Sequence, residues 1–295
     1  MSDLLAVLKN HQPKREFFVA IDSDGCAFDT MEIKHKECFI PNIIKCWDLQ
    51  AVSKYARSAA EFVNLYSKWR GINRFPALTM VFDLLADWDR VTERHVKLPD
   101  VPNLQRWIET ESKLGNPALK AYCEKHDEPD MHRALVWSKA VNDSVMDVVK
   151  GVPPFPYVRE SLEKAKRVAD ILVCSATPGE ALVREWQEHG IDKYPFAIAG
   201  QELGKKNEHI AMSADGRYGK TKMLMIGDAP GDMKAARANG ALFYPINPGK
   251  EEASWQRFYE EALDKFVSGE YAGEYETALI KEFDAYLPEI PPWKK

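Results

Sequence analysis

Residues 17–21, Phe-Phe-Val-Ala-Ile, form an unbroken apolar run of strand length that contains neither Pro nor Gly. That pattern predicts a strand buried on both faces. The run stops abruptly at Asp22-Ser23-Asp24-Gly25. Ahead of it, Leu4, Leu5 and Leu8 sit at spacings that fit a short N-terminal helix, joined to the strand by residues 11–16. Beyond Asp29 the texture changes. From Met31 to about Lys150 the apolar and aromatic residues recur at helical spacing, and no convincing strand is found. The segments are 59–66, 78–88, 104–108 and 134–149. In the last, Leu135, Val136, Val141, Val145, Met146 and Val149 suggest one apolar face. Gly71 and Pro76, Pro99 and Pro102, Gly115 and Pro117, and Pro129 punctuate the block.

A stiff Gly-Val-Pro-Pro-Phe-Pro linker at 151–156 separates this block from regular alternation of helix and strand patterns. Helices are expected at 157–168, 180–189, 207–214 and 232–238, and strands at 171–174, 196–199, 222–226 and 241–244. Gly240 stands as the C-terminal stop of the last of these helices. Such alternation predicts an α/β fold, a Rossmann-like parallel sheet covered by helices. The expected organisation is a core made of residues 1–30 and 151–295, with an all-helical domain of residues 31–150 inserted after the first strand. From about residue 248 the core carries a helical extension with Trp255, Phe258, Tyr259, Leu263 and Phe266 as its buried stripe, ending in the Pro-rich residues 287–293. This extension is expected either to pack on the core or to cover a neighbouring chain.

The polar residues gain meaning from that arrangement, because open parallel sheets bind ligands outside the carboxyl ends of their strands. The first strand ends in Asp22 and Asp24, the second in Ser175, and the fourth in Gly227-Asp228, with Asp232 just beyond. Lys205 and Lys206 open a short helix between the third and fourth. Two carboxylates at the mouth of a buried strand are unfavourable unless a cation meets them, and a divalent metal with a phosphate-bearing ligand would do so. Taken singly, each of these is also what an Asp-Gly turn or a helix cap looks like.

Composition narrows the partners. Forty Lys and Arg face 45 Asp and Glu, a net charge of −5, with no basic block or basic-aromatic stripe, so nucleic acid is not an expected partner. The five cysteines include no Cys-x-x-Cys pair, which argues against a disulfide framework or a zinc site and fits a reducing compartment. No signal-peptide core and no run of membrane-spanning length is found, so the expected location is cytoplasmic, with no membrane partner.

The ordered set of motifs resembles the haloacid dehalogenase superfamily of phosphohydrolases. Its Asp-x-Asp-Gly motif is matched by residues 22–25, followed by Asp29-Thr30, and its strand ending in Ser or Thr by residues 171–175. Its Lys is matched by Lys206 or Lys205, and its Gly-Asp-x-x-x-Asp motif by Gly227, Asp228 and Asp232. The match covers residues 17–30 and 151–247, and the inserted helices resemble the superfamily's type-one caps. The resemblance implies that Asp22 is a nucleophile forming an aspartyl-phosphate, and that Asp24 is the general acid and base. Ser175 would hold a phosphoryl oxygen, and Lys206, preferred over Lys205, would balance the charge of Asp22 and hold the phosphoryl group. It implies Mg2+ as cofactor, held by Asp22, the backbone carbonyl of Asp24, and Asp228, with Asp232 holding the Lys or standing behind the metal. In the cap, the turn at residues 69–78 faintly resembles the substrate loop of β-phosphoglucomutase-type caps, which makes Arg70 and Arg74 candidate contacts for a distal anionic group.

The expected activity is removal of phosphate from a small phosphorylated metabolite. A phosphomutase shares all the motifs, and a non-catalytic binding module on the same fold is a further alternative. The sequence leaves the oligomeric state and the substrate open.

Overall fold

The computed structural model describes residues 2–294. Of these, residues 2–30 and 151–288 form one compact unit, and residues 31–150 and 289–294 form a second.

The first unit is built on five parallel strands: β1 (Phe17–Ile21), β2 (Ala169–Cys174), β3 (Ala197–Ala199), β4 (Met223–Gly227) and β5 (Leu242–Pro245), in the spatial order β3-β2-β1-β4-β5. Successive residues of a strand point to opposite faces, so β1 supplies both layers of the core. Phe17, Val19 and Ile21 face a layer that includes Trp186 and Trp255, while Phe18 and Ala20 face one that includes Leu8, Phe243 and Phe283. Both faces being covered explains the continuous apolar runs in the sequence.

The chain leaves β1 for β2 and β3 on one side and returns for β4 and β5 on the other. The order of the sheet therefore reverses between β1 and β4, and a crevice opens at their carboxyl ends. Ile21 is level with Val173 of β2 and with Ile226 of β4. Asp22 continues the ladder by donating its N–H to the carbonyl of Ile226 at 3.0 Å. This register brings residue 22 and the segments that follow Cys174 and Gly227 to the same end of the sheet.

The extension packs on the core unit. Trp255, Phe258, Leu263 and Phe266 enter one layer, and Phe283 and Leu287 enter the other. Tyr259 is only half-buried, because the helix widens into a π turn over Phe258–Ala262 and carries that ring away from the stripe.

In the second unit, the helices Ser53–Asn64, Arg74–Ala86, Pro102–Thr110 and Pro129–Val148 pack around aromatic rings, with Phe75 edge-on to both Trp107 and Trp137. The buried face of Pro129–Val148 is Met131, Ala134, Trp137, Ser138 and Val141, while Val136 and Met146 are exposed. Of the face expected from the sequence, Val141 is buried and Leu135 and Val145 are partly buried against the same cluster, whereas Val136 and Met146 are corrected to exposed. At about 100° per residue Val136 lies roughly a quarter turn and Met146 half a turn around the helix from Trp137, and the large ring, once buried, fixes the rotation of the helix.

The end of the chain is a second correction. Residues 289–294 group with the inserted helices and not with the core. Trp293 stacks on Trp88 at 4.0 Å and meets Phe62 edge-on, and Lys294 pairs with Asp87. Among the described residues no helix is long and apolar enough to cross a membrane.

Candidate active site

The segment after β1 turns sharply. Gly25 has φ of 79°, a conformation that a side chain would strain, and its N–H bonds the carbonyl of Phe28 at 2.9 Å. Asp22 is buried and its Oδ1 accepts the N–H of Ser23 at 2.7 Å. Asp24 is half-buried, and the buried Thr30 donates its hydroxyl to Asp24 Oδ1.

Lys206 opens the helix Lys206–Ala214, and its Nζ lies 2.6 Å from Asp22 Oδ2 and 2.5 Å from Asp232 Oδ1. Lys205 is exposed, and its backbone forms the helix cap. Of the two lysines, Lys206 is the one whose ammonium reaches the carboxylates. Asp232 sits near the start of Pro230–Ala238, and its other oxygen accepts the N–H groups of Asp228 and Ala229 at 3.2 and 3.1 Å. It holds the lysine with one oxygen and the β4 loop with the other.

Gly227 makes that approach possible. A Cβ there would lie 2.5 Å from Asp232 Cγ, and the obstructing atoms belong to a short side chain fixed at both oxygens. Replacing Gly227 by Ala is expected to displace Asp232. It should lower stability by about 1–3 kcal/mol, the usual cost of overpacking, and loosen Lys206. A thermal melt checks the first effect; an unchanged melting temperature would mean that the loop yields freely.

Asp22, Asp228 and Asp232 are all buried, and each offers a carboxylate oxygen within 4.8 Å of the others. Lys206 brings one positive charge to three carboxylates. Burial pushes the Asp22 carboxyl up to about 8 despite the opposing pull of Lys206, with Asp232 and Asp228 adding to the rise. Burial alone would lower the Lys206 ammonium, but Asp22 and Asp232 hold it well above its usual value. The three carboxylates form a set of hard oxygen donors of the kind that fits Mg2+.

Ser175 follows β2, is buried, donates its N–H to Ala199 at 3.0 Å, and accepts the N–H of Thr177 at 3.3 Å on its Oγ. Its hydroxyl proton is free to rotate toward a ligand.

The two cap arginines belong to the other compact unit, and both are engaged within it. Arg70 is 2% exposed and donates from Nη1 to the carbonyl of Leu65 at 2.8 Å. Arg74 donates from Nη1 to Ser138 and to Asn142, and its guanidinium lies 4.9 Å from the Phe39 ring centroid. Burial pulls Arg74 down to about 10. Arg70 ties its own turn through that bond. Arg74 first ties the helix Arg74–Ala86 to Pro129–Val148.

Sequence reasoning did not single out Thr30 as a partner of Asp24, nor Ser23, Glu185, Trp186 and Trp255 around the loop. Ser23, between the two carboxylates, and Thr30, six residues after Asp24, stood near enough in the chain to be suspected; Glu185, Trp186 and Trp255 did not.

No family model and no curated protein matches the sequence. Among solved structures, the chain is similar to a β-phosphoglucomutase from Clostridium difficile, with a TM-score of 0.50 and 15% identity over 85% of this chain and 97% of that one. It also matches a haloacid dehalogenase-like hydrolase from Streptococcus pneumoniae, with a TM-score of 0.43 and 13% identity over 83% of this chain and 91% of that one. A haloacid dehalogenase-superfamily hydrolase of subfamily IA from Geobacter sulfurreducens gives a TM-score of 0.40 and 16% identity over 80% and 89%. The first of these likenesses carries the fold: the chain has the α/β architecture of β-phosphoglucomutase.

Proposed function

We propose that this chain is a Mg2+-dependent phosphohydrolase acting on a small phosphorylated metabolite through an aspartyl-phosphate on Asp22. The observation that carries this reading is the meeting of Asp22, Asp228 and Asp232 with the Lys206 ammonium at the carboxyl end of β1 and β4. Asp22, Asp228 and the backbone carbonyl of Asp24 would hold Mg2+, which supplies positive charge against the phosphoryl oxygens and the nucleophile.

The residues then divide the work. A carboxylate oxygen of Asp22 attacks phosphorus, forming an O–P bond as the bond from phosphorus to the leaving oxygen breaks. Asp24 delivers its proton to that oxygen. In the second half-reaction Asp24, now a carboxylate, takes a proton from water as the water oxygen attacks phosphorus. Inorganic phosphate leaves and the Asp22 carboxylate is regenerated. The Thr30 hydroxyl orients Asp24. Lys206 neutralises Asp22 and, with Ser175, meets the phosphoryl oxygens. Asp232 keeps Lys206 in place.

The test is phosphate release from p-nitrophenyl phosphate and a panel of sugar phosphates, nucleotides and phosphoglycolate. Release is expected with Mg2+, should vanish with EDTA, and should return when Mg2+ is restored. No release from any ester at saturating Mg2+ would sink the reading.

The likeness to a β-phosphoglucomutase favours a second reading, a sugar phosphomutase. A sugar phosphate isomerised without net phosphate release, followed by 31P NMR, would decide for it.

A further inference from the structure

The loop bearing both proposed catalytic carboxylates is gripped from beneath. Ser23, the residue between them, is 0% exposed. Its Oγ accepts the indole N–H of Trp186 at 2.9 Å and donates to Glu185 Oε2 at 3.2 Å. Both partners are adjacent residues of the helix Gly179–Glu188, which follows β2. Three residues along the loop, the carbonyl of Cys26 accepts the indole N–H of Trp255 at 2.8 Å. Trp255 lies in the helix Glu251–Arg257 of the extension. Both indoles are fully buried, and Trp186 also stands edge-on to Phe28 at 5.9 Å.

An indole N–H in an apolar core needs an acceptor, so each ring favours the loop conformation that supplies one. That conformation is stiff. The carbonyl of Ser23 accepts N–H groups from Cys26, Ala27 and Phe28, and its own N–H donates to Asp22 Oδ1. A rotation at Ser23 would therefore turn the nucleophile and the loop together. None of the three gripping residues belongs to the motifs that carry the chemistry.

We propose that Trp186 with Glu185, through Ser23, and Trp255, through Cys26, are positioning residues for Asp22 and Asp24, so that the C-terminal extension takes part in the phosphoryl transfer at a distance. The inference rests on the phosphohydrolase reading. Proper aim at phosphorus is worth much of such a rate, and small misplacements can lower it about 100-fold.

The experiment compares the wild-type chain with Ser23→Ala, Trp186→Phe and Trp255→Phe, using p-nitrophenyl phosphate at saturating Mg2+. Each variant is expected to lose about 10- to 100-fold in kcat, with KM within about twofold and near-ultraviolet circular dichroism preserved. Ser23→Ala combined with Trp186→Phe should fall no further in kcat than Ser23→Ala alone, because Ser23→Ala already removes the bond to Trp186 along with the one to Glu185. Ser23→Ala combined with Trp255→Phe should add. A lowered melting temperature with unchanged kcat would overturn the inference and leave these as packing residues. If Ser23→Ala does not fold, Trp255→Phe decides by the same criteria. An inactive wild-type chain would instead refute the phosphohydrolase reading, and this inference with it.

Discussion

Replacing Asp22 by Asn should remove turnover of p-nitrophenyl phosphate by about 10⁴-fold or more, the scale on which enzymes lose rate when a covalent nucleophile is deleted. The amide is nearly isosteric, so Asn retains an oxygen to accept the Ser23 N–H that now reaches Asp22 Oδ1 at 2.7 Å. It loses the ion pair with Lys206 Nζ at 2.6 Å, but Lys206 keeps its contact with Asp232. The carboxylate it replaces is itself unfavourable in the metal-free protein, where burial pushes its pKa up to about 8. The variant should therefore fold, with a melting temperature equal to or above that of the wild type in EDTA. Activity and stability move in different directions, and this separates chemistry from architecture. Turnover within tenfold of the wild type would show that no covalent bond to Asp22 is needed.

Why so much of this site was legible before the structure follows from the geometry of parallel sheets. The apolar runs of β1, β2 and β4 each end at a polar residue, and parallel register alone places those ends on one rim. Placing Asp22, Ser175 and Asp228 at one end of the sheet needed no further information. The choice between Lys205 and Lys206 did, because a helix start rotates about 100° per residue and its phase is set by tertiary packing, not by the local sequence. In the structure Lys205 points outward from the cap position while Lys206 turns in.

The cap was legible only as helical. Apolar residues occur on both sides of Pro129–Val148, so the pattern did not fix a face; the burial of Trp137 did. Nothing in the sequence revealed that Leu65, Ser138 and Asn142 accept hydrogen bonds from the arginines of the 69–78 turn. The same blindness to long-range partners hid the grip on the catalytic loop: Trp186 is 163 residues from Ser23, and Trp255 is 229 residues from Cys26. Trp255 reads as a core residue of the extension, which it also is, and nothing in the sequence sets Trp186 apart.

Substitution of Lys206 by Met should abolish activity and destabilise the fold together, in contrast to Asp22→Asn. The Lys206 side chain is 19% exposed and stands against Asp22 at 6% and Asp232 at 1%. Removing one partner from a buried ionic group leaves the other charges uncompensated, and such changes cost about 3–5 kcal/mol. Catalysis would lose the ammonium that neutralises the nucleophile and the phosphoryl oxygens, worth about 10²–10³-fold in rate at sites of this kind. The two losses can be divided. Adding Asp232→Asn to Lys206→Met removes one of the stranded carboxylates while its side-chain oxygen can still accept the N–H groups of Asp228 and Ala229. The double variant should recover much of the lost melting temperature and none of the lost kcat. If Lys206→Met alone melts like the wild type in EDTA, the ammonium is not what compensates the buried carboxylates. If the double variant regains turnover, Lys206 serves only to hold the fold.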